Sequence, residues 1–369
     1  MTRQVAAFTD TYLPTVNGVT YTIKSWRDRW NRNGGWMDVV YPHSDDYTPE
    51  SSEHPVRSIP FPFYEGYRVG APQVPEAVEH ADVIHAHTAF ALGLASLRLA
   101  RSNDKPLVAS YHTPTAEYAD YVLSSDRLVG GVQRLSQRYE RWFYDRADLV
   151  IVPSRPTKRH LAESVGVDSR IEVVSNGIDT EQFRPVDTAA FRERNDLRGT
   201  LIGYTGRHGY EKQLDQIISA AERLDRDVTV VFGGDGPARD DLEARARHSD
   251  ADVRFLGFLE REEMPAFYSA LDVFTFPSPV ETQGLVALEA NACGTPVVGV
   301  NAGALAETVD DGRNGFHFER GDVADFARGI ERALDDSGRL SQNCLDDRDS
   351  VSIDHAVSRL EELYDDVSR

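Results

Sequence analysis

The sequence predicts an α/β protein with two domains, each built on a parallel sheet. Short apolar runs typical of buried strands alternate along the chain with stretches whose apolar residues recur at helical spacing. This alternation favours parallel sheets that bind ligands at the carboxyl ends of their strands. The length of 369 residues suits two domains. We place their boundary at Pro185, in a polar segment from Asp179 to Arg198 without a clear apolar face, so the domains span 1–185 and 186–352.

In the first half of the chain, one loop already indicates a binding site. Thr9 to Val16 form a loop that brings Asn17 and Gly18 to the start of a helix beginning near Val19. A glycine there lets a ligand approach outward-pointing backbone amides, although an ordinary turn glycine is the alternative. The predicted strands of this half are Val5 to Phe8, Val39 to Tyr41, Val83 to Ala86 and Leu107 to Tyr111.

Three histidines lie at the ends of these strands. His85 and His87 stand two residues apart, on one face, and a pair without a third ligand is only a weak indication of a metal site. His112 ends the strand LVASY at the edge of the sheet where a substrate is expected. A histidine in a solvated loop is the alternative interpretation of His112.

A helical stretch from Arg127 to Arg146 combines positive charge with aromatic rings. Five arginines face only Glu140 and Asp145, and four aromatic residues are interleaved with them. Such a stretch can rest on anionic lipid headgroups, and a helix with a solvated arginine face is the alternative.

The second half opens with the strand Leu201 to Thr205, followed by Arg207 and Lys212. The chain has only four lysines, so one lying five residues beyond a strand-end arginine is notable. The two cations could hold a diphosphate and neutralise charge that develops on a leaving group. A salt-bridged surface pair is the alternative.

Further strands and helices follow in this half. Val228 to Phe232 lead into GGDGP, but Arg239 replaces the third glycine of a dinucleotide fingerprint, so NAD binding is not indicated. The other predicted elements are the strands Val253 to Phe258, Val273 to Pro277 and Val297 to Val300, and helices at Arg261 to Leu271, Val323 to Leu334 and Ile353 to Val367.

The segment from Glu281 to Glu289 combines two carboxylates with a helix start. Of the twenty-five residues from Thr282 to Ala306, only Glu289 is charged, so this stretch must be largely buried. Gly284 precedes the predicted helix, and the amides there lie roughly 7 to 8 Å along the axis from the Glu289 side chain. That span suits a nucleotide-sugar. The alternatives are a helix cap with an arginine-paired glutamate, or the acid pair of a glycosidase, which would have to flank one bond.

Composition excludes several classes of protein. A net charge of −20 and a pI near 4.9 argue against sequence-independent nucleic-acid binding and are typical of proteins from salt-rich environments. Only Cys293 and Cys344 are present, and neither a signal peptide nor a membrane-spanning run is evident, so we expect a cytoplasmic protein. The three Asp-x-Asp pairs follow no buried strand, and we expect no metal cofactor. They lie at Asp225 and Asp227, Asp250 and Asp252, and Asp347 and Asp349.

Four ordered motifs resemble those of the family 4 retaining glycosyltransferases. Glu281 and Glu289 followed by Ala-x-Ala-x-Gly-x-Pro-Val-Val resemble the family signature, with Gln283 where many members carry phenylalanine. The other three are FTDTYLPTVNGV around Gly18, SYHT around His112, and TGRHGYEKQLD with Arg207 and Lys212. The resemblance implies the GT-B fold, with two Rossmann-like domains facing across a cleft and the last helix, 353–369, crossing back to the first domain.

The resemblance also implies roles for individual residues. Glu281 and the amides of Gln283, Gly284 and Leu285 would hold the sugar, and Glu289 the ribose. Gly18 would abut the donor diphosphate, Arg207 and Lys212 would bind it, and His112 would contact the sugar or the acceptor. The segment with Glu117, Tyr118 and Tyr121 is similar to the acceptor side of diacylglycerol glycosyltransferases.

We therefore expect transfer of a hexose from a UDP- or GDP-linked donor to an acceptor hydroxyl, with retention of configuration. A membrane lipid is the expected acceptor, which would place the protein at the inner face of the membrane. The alternatives are assembly of a surface polysaccharide or protein-linked glycan, and an epimerase, phosphorylase or nucleotide-sugar binder of the same architecture.

Overall fold

The computed structural model describes residues 3–61, 67–112 and 126–369, with only the backbone of 126–133. The chain forms two compact units, Met1–Gly177 with Ile353–Arg369, and Ile178–Ser352. This division precedes the expected boundary at Pro185. The reason is that Ile178 and Phe183 are buried in the core of the second unit, and Arg348 donates to the carbonyls of Thr180 and Phe183.

The first domain contains a seven-stranded parallel sheet in the order β3-β2-β1-β6-β7-β8-β9, and a two-stranded antiparallel hairpin, β4-β5. Its sheet strands are β1 Gln4–Phe8, β2 Trp36–Pro42, β3 Glu53–Val56, β6 Val83–Ala86, β7 Leu107–Ser110, β8 Leu149–Val152 and β9 Ile171–Val173, and the hairpin strands are β4 Ser58–Pro60 and β5 Arg68–Gly70. The helices are α1 Gly18–Arg32, α2 Ala91–Ser102, α3 Asp126–Tyr144, α4 Arg155–Arg159 and α13 Ile353–Val367, with a 3-10 turn at Glu76–Val78 and a π-helical turn at His160–Val165.

The second domain contains a six-stranded parallel sheet in the order β12-β11-β10-β13-β14-β15. Its strands are β10 Thr200–Thr205, β11 Val228–Gly233, β12 Asp252–Gly257, β13 Val273–Phe276, β14 Val297–Val300 and β15 Gly315–Phe318. Its helices are α5 Ala189–Arg194, α6 Asp215–Ala221, α7 Arg239–Arg247, α8 Met264–Ala270, α9 Leu285–Ala292, α10 Leu305–Thr308, α11 Val323–Asp335 and α12 Ser337–Asp346, with 3-10 turns at Tyr210–Lys212 and Arg348–Val351.

Both sheets reverse their strand order once. The reversal lies between β1 and β6 in the first domain and between β10 and β13 in the second. In open parallel sheets the loops on either side of such a switch point diverge and leave a crevice at the carboxyl ends of the strands. The predicted Rossmann-like architecture is therefore confirmed, and it identifies the two sheet edges at which ligands are expected.

The last helix returns to the first domain, as the resemblance implied. In α13, Val357, Leu360 and Tyr364 are buried in the same apolar cluster as Trp26 and Trp30 of α1. The ring of Tyr364 meets that of Trp30 edge to face, with centroids 5.4 Å apart. The α13 helix therefore covers one face of the first sheet.

Two elements differ from the sequence prediction. Helix α8 begins at Met264 rather than near Arg261, with Pro265 in its first turn, where the missing amide costs nothing. The polar segment around Cys344 forms the helix α12, because Leu340 and Cys344 supply a narrow buried face.

A buried polar network supports the loop that follows β1. The carboxylate of Glu53 accepts hydrogen bonds from the hydroxyls of Tyr12 at 2.9 Å and Tyr47 at 2.8 Å, and from the amide of Glu50 at 2.9 Å. It also pairs with the guanidinium of Arg27, and both side chains are almost fully buried. Because Tyr12 belongs to the loop that leads to α1, this network fixes the approach to the helix start.

Replacing Glu53 by Gln should lower the free energy of unfolding by about 3 kcal/mol, because the buried Arg27 loses its best-placed counter-charge. Urea unfolding followed by circular dichroism measures the difference. Arg170→Gln is the control, since its partner Glu172 lies at a partly exposed surface and the change should stay within about 0.5 kcal/mol. Equal unfolding midpoints for Glu53→Gln and the wild type would contradict this account.

Candidate functional site

The loops after β10 and β13 contain most of the predicted donor-binding residues. These strands are neighbours at the switch point of the second sheet. Arg207 lies two residues beyond the end of β10. Its Nη1 atom lies 3.9 Å from Oε1 of Glu211, and its side chain is 39% exposed. Lys212 ends the 3-10 turn Tyr210–Lys212.

Lys212 and Glu281 form a largely buried ion pair. The Nζ atom of Lys212 lies 2.5 Å from Oε1 of Glu281, and the two side chains are only 18% and 14% exposed. Burial alone would lower the pKa of Lys212, but the charge and hydrogen bond of Glu281, together with Tyr204 and Glu211, outweigh it, so the pKa is raised. The amine therefore remains charged at neutral pH.

Tyr204 marks the place where the charged side chains converge. Burial raises the pKa of its phenol, and the charges of Lys212, Glu281, Glu211 and Arg207 all act on the hydroxyl. The structure thus brings the two predicted cations and the first glutamate of the signature together around one buried ring.

The glycines at the end of β11 and after it pack against the backbone of the loop that carries Arg207. Gly234 has a φ of 96°, and a Cβ atom there would lie 2.1 Å from the carbonyl oxygen of Gly206. Close contact of two backbones therefore requires glycine at this position. His208 strengthens the contact, because its amide donates to the carbonyl of Asp235 and its Nε2 lies 3.1 Å from the carbonyl oxygen of Gly233. These glycines therefore have a packing role.

Helix α9 begins at Leu285, directly after Gly284. Gly284 has a φ of 76°, and a Cβ atom there would stand 3.0 Å from a methyl of Leu305, so glycine is required. Among the described residues, no side chain caps this end of the helix. The first amides of a helix have no acceptor within it and point along its axis, so they are suited to an oxygen-rich ligand. Gln283, which precedes them, is buried.

Glu289 lies inside α9 and is bonded at both carboxylate oxygens. Arg261 donates to Oε1 at 3.0 Å, and the hydroxyl of Tyr268 donates to Oε2 at 2.6 Å. The arginine-paired glutamate, which was the alternative to a ribose ligand, is thus present. The two interpretations are compatible, because an ionised carboxylate has about four acceptor positions and these partners use two.

In the first domain, Gly18 and His112 lie at the corresponding sheet edge. Gly18 is the first residue of α1, whose cap is Asn17, and the Asn17 side chain accepts from the amide of Thr20 at 2.9 Å. His112 lies two residues beyond β7 and is 8% exposed. Its Nε2 lies 3.0 Å from Nδ1 of His87, which follows β6.

The three histidines are hydrogen-bonded within the first domain. The ring nitrogens of His85 are bonded to Tyr364 and Ser110, and His87 is bonded to His112. Within residues 3–61, 67–112 and 126–369, no group of three or more His, Cys, Asp or Glu side chains is arranged to hold a metal ion. Asp252 pairs instead with Arg254, and Asp347 with Arg313.

The arginine-rich stretch forms most of α3, and the contacts of two of its arginines, Arg141 and Arg146, are identified. Arg141 pairs with Asp145 and Asp168, and Arg146 stacks over the ring of Trp142 at 4.4 Å. The side chain of Arg127, and the predicted acceptor residues Glu117, Tyr118 and Tyr121, lie outside the described residues. In the described part of the chain, no helix has the length and hydrophobicity needed to cross a membrane.

Sequence reasoning did not identify Arg261, Tyr268 or His87 as supporting residues. Tyr268 looks like an ordinary core aromatic of a short helix, and Arg261 is one of thirty-six arginines. Glu289 is the single charge inside an apolar run, and this alone indicated that its carboxylate must have buried hydrogen-bond or ionic partners.

Comparison with known proteins agrees with this geometry. The profile of Glycosyltransferase Family 4 matches residues 16–182, and the profile of Glycosyl transferases group 1 matches residues 186–346. The chain is 28% identical to alpha-monoglucosyldiacylglycerol synthase of Streptococcus pneumoniae, over 98% of this chain and 85% of that protein. It is 32% identical to glycogen synthase of Mycobacterium tuberculosis, over 74% of this chain and 65% of that protein. Among such relatives, the matched share of the other protein ranges from 56% to 85%.

A solved structure shows the same fold. The Anabaena protein HepE in complex with UDP superposes with a TM-score of 0.78 at 20% identity, covering 99% of this chain and 100% of the other.

Replacing Tyr268 by Phe should weaken binding of a nucleoside diphosphate about tenfold, because Glu289 loses a hydrogen bond that orients its carboxylate. Titration calorimetry with UDP and GDP measures the change. Tyr210→Phe is the matched control, since this tyrosine is 63% exposed and its hydroxyl bonds Asp241 at the surface. An undiminished affinity in Tyr268→Phe would show that Glu289 does not contact the nucleotide.

Proposed function

The chain belongs to the family 4 glycosyltransferases of the GT-B fold, and from this premise we propose that it transfers a hexose from a nucleotide-sugar to an acceptor hydroxyl. The observation that carries the proposal is the ion pair of Lys212 and Glu281 beside the amino end of α9. It places a positive charge beside the first amides of α9, at the switch point of the second sheet. A diphosphate needs the positive charge, and its sugar needs hydrogen-bond donors such as the amides.

The charges suit departure of a nucleoside diphosphate. When the bond between the sugar and the phosphate breaks, negative charge builds on the phosphate oxygen. Lys212 would meet that charge, and Arg207 would add a second cation. Because Lys212 already has a counter-ion in Glu281, the incoming phosphate competes with a carboxylate, and the freed carboxylate oxygen can accept from a sugar hydroxyl. Binding and positioning would then be coupled.

We expect retention of configuration at the transferred carbon. Front-face attack, in which the departing phosphate itself accepts the proton of the acceptor hydroxyl, needs no enzymatic base. His112 is compatible with this scheme, because burial lowers the pKa of its imidazole to about 4 and leaves the ring neutral at pH 7. A neutral imidazole can donate a hydrogen bond to the sugar or acceptor without adding charge.

A lipid acceptor is the favoured substrate class. Helix α3 exposes Leu135 at 68% and Trp142 at 39%, and Phe90, directly before α2, is 46% exposed. The helices are linked, because the hydroxyl of Tyr139 on α3 donates to the carbonyl of Ala89. An exposed apolar surface flanked by arginines is typical of proteins that rest on anionic membranes. Similarity to a protein named as a glucosyldiacylglycerol synthase points the same way.

Replacing Lys212 by Ala should reduce kcat by at least about a hundredfold while the fold stays intact, because the leaving group loses its buried countercharge. Release of nucleoside diphosphate from UDP- and GDP-linked sugars, with and without acceptors, measures turnover and also tests for hydrolysis or epimerisation. Lys105→Ala, a lysine of the first domain just before β7, is the matched control and should turn over normally. Unimpaired turnover in Lys212→Ala would remove this mechanism.

The lipid acceptor predicts binding to vesicles. The wild type should sediment with vesicles containing phosphatidylglycerol, and the double variant Leu135→Ser, Trp142→Ser should bind about tenfold more weakly, because it loses exposed apolar area. Trp36→Ser is the matched control, since this tryptophan is 45% exposed at the start of β2, and it should bind like the wild type.

Neutral phosphatidylcholine vesicles separate the charge contribution from the apolar one. Failure of the wild type to bind anionic vesicles would favour the rival acceptor, a polysaccharide or protein-linked glycan, for which the similarity to a glycogen synthase is the supporting observation.

A further inference from the structure

Three buried imidazoles form a stack beneath the predicted substrate edge of the first sheet. The ring centroids of His85 and His87 lie 4.0 Å apart and those of His87 and His112 lie 5.3 Å apart, with interplanar angles of 28° and 12°. The indole of Trp26 lies within 6.4 Å of all three ring centroids. Only His112, at 8%, keeps noticeable exposure, so it is the end of the stack nearest to solvent.

The inner end of the stack is anchored by two hydroxyls. Nδ1 of His85 lies 2.6 Å from the hydroxyl of Tyr364 on α13, and Nε2 lies 2.8 Å from the hydroxyl of Ser110. Both ring nitrogens of His85 are therefore satisfied, and the ring cannot turn without breaking a bond. Since His87 packs face to face on this fixed ring, its own plane is fixed as well.

The outer end of the stack has one hydrogen bond between rings. Nδ1 of His87 lies 3.0 Å from Nε2 of His112, and this is the one hydrogen bond of the His87 side chain among the described residues. Nε2 of His87 is buried without a partner there. The other nitrogen of His112, Nδ1, is not used by the stack.

The unpartnered nitrogen decides where the protons lie. If His112 donated to His87, then His87 would carry its own proton on Nε2 and bury an N–H group without an acceptor, which is rare in proteins. If His87 donates instead, its unpartnered Nε2 is only a lone pair. In that arrangement Nε2 of His112 is the acceptor, and its proton must lie on Nδ1.

Burial supports neutral rings throughout the stack. It lowers the pKa of His85 to about 3, with His112 adding to the effect, and lowers that of His87 well below its usual value, with His85 and His112 adding to the effect. Protonation of His112 would replace its acceptor Nε2 with a donor, and two donors would then face each other in the bond between His87 and His112.

We propose that His87 is a positioning residue that holds His112 in one orientation and in the tautomer with its proton on Nδ1, so that His112 presents a neutral hydrogen-bond donor to an oxygen of the sugar or acceptor. The proposal rests on the proposed function for the role of His112, but the tautomer itself does not depend on the substrate. Tyr364 extends the arrangement to the last helix, because it fixes His85 and thereby the ring on which His87 packs.

The tautomer can be measured directly. Long-range nitrogen-proton correlation spectra of the ¹⁵N-histidine-labelled protein distinguish protonated from bare ring nitrogens, and the spectrum of His112→Gln assigns the signal of His112. We expect Nδ1 of His112 to be protonated and Nε2 to be bare at pH 7, the reverse of the form that predominates in free histidine. A proton on Nε2 of His112 in the wild type would overturn the proposal.

Two variants of His87 test its effect on catalysis. His87→Asn places an amide near the position of Nδ1 and can still donate to His112, whereas His87→Phe keeps a stacked ring but removes the hydrogen bond. We expect kcat to fall about tenfold in His87→Phe and to stay within about threefold in His87→Asn, with binding of nucleoside diphosphate unchanged in both. In His87→Phe, the His112 signal should also lose its preference for the Nδ1-protonated form, because the hydrogen bond that fixes the tautomer is gone.

The outcomes separate the two proposals. Equal losses in His87→Asn and His87→Phe, with an unchanged His112 tautomer, would show that His87 only fills space. Absence of transfer by the wild type with every donor tested would refute the proposed function, while the nitrogen spectra would still decide the tautomer. Thermal unfolding of both variants checks that the first domain is folded; if His87→Phe is not, the wild-type spectrum and His87→Asn carry the test.

Discussion

The ion pair between Lys212 and Glu281 is the interaction on which the candidate donor site depends. The two residues are 69 positions apart and belong to the loops after β10 and β13, on either side of the switch point. Removing either partner would leave the other charge largely buried and unpaired, which is costly, so the position of each loop depends on the other. The pair therefore brings the turn that carries Lys212 to the amino end of α9, and no backbone contact between the two loops is needed to explain their proximity.

Much of the fold could be predicted because buried strands and helices have recognisable patterns of apolar residues in the sequence. The central strands of both sheets are covered on two faces and read as continuous apolar runs, such as Val297–Val300. The strand Glu53–Val56 has no apolar run. Its first residue is a buried glutamate that is stabilised by Arg27 and two tyrosines from elsewhere in the chain. The two compact units divide after Gly177 rather than at Pro185 for a related reason. The segment after Gly177 is polar in composition, yet Ile178 and Phe183 anchor it in the second core.

The candidate site was predictable where a residue type conflicted with its surroundings. Lys212 is a lysine in a chain that has only four, and Glu289 is the single charge in an apolar run. Their partners were not predictable, because Arg261 and Tyr268 lie 28 and 21 positions from Glu289 and resemble ordinary surface and core residues. A buried carboxylate indicates that hydrogen-bond donors must lie beside it, but the sequence does not show which helix, strand or loop supplies them. The same limit applies to His87, whose importance follows only from its contact with His112.

The two domains treat ionisable groups in opposite ways, and the chemistry of the substrates explains the difference. In the second domain, Glu281 raises the pKa of the buried Lys212 and preserves its charge, which suits a diphosphate. In the first domain, burial lowers the pKa values of His85 and His112 to about 3 and about 4, which suits hydroxyl groups that carry no charge. Under the proposed function, a neutral His112 offers a hydrogen-bond donor whose direction is set by its contact with His87 rather than by charge.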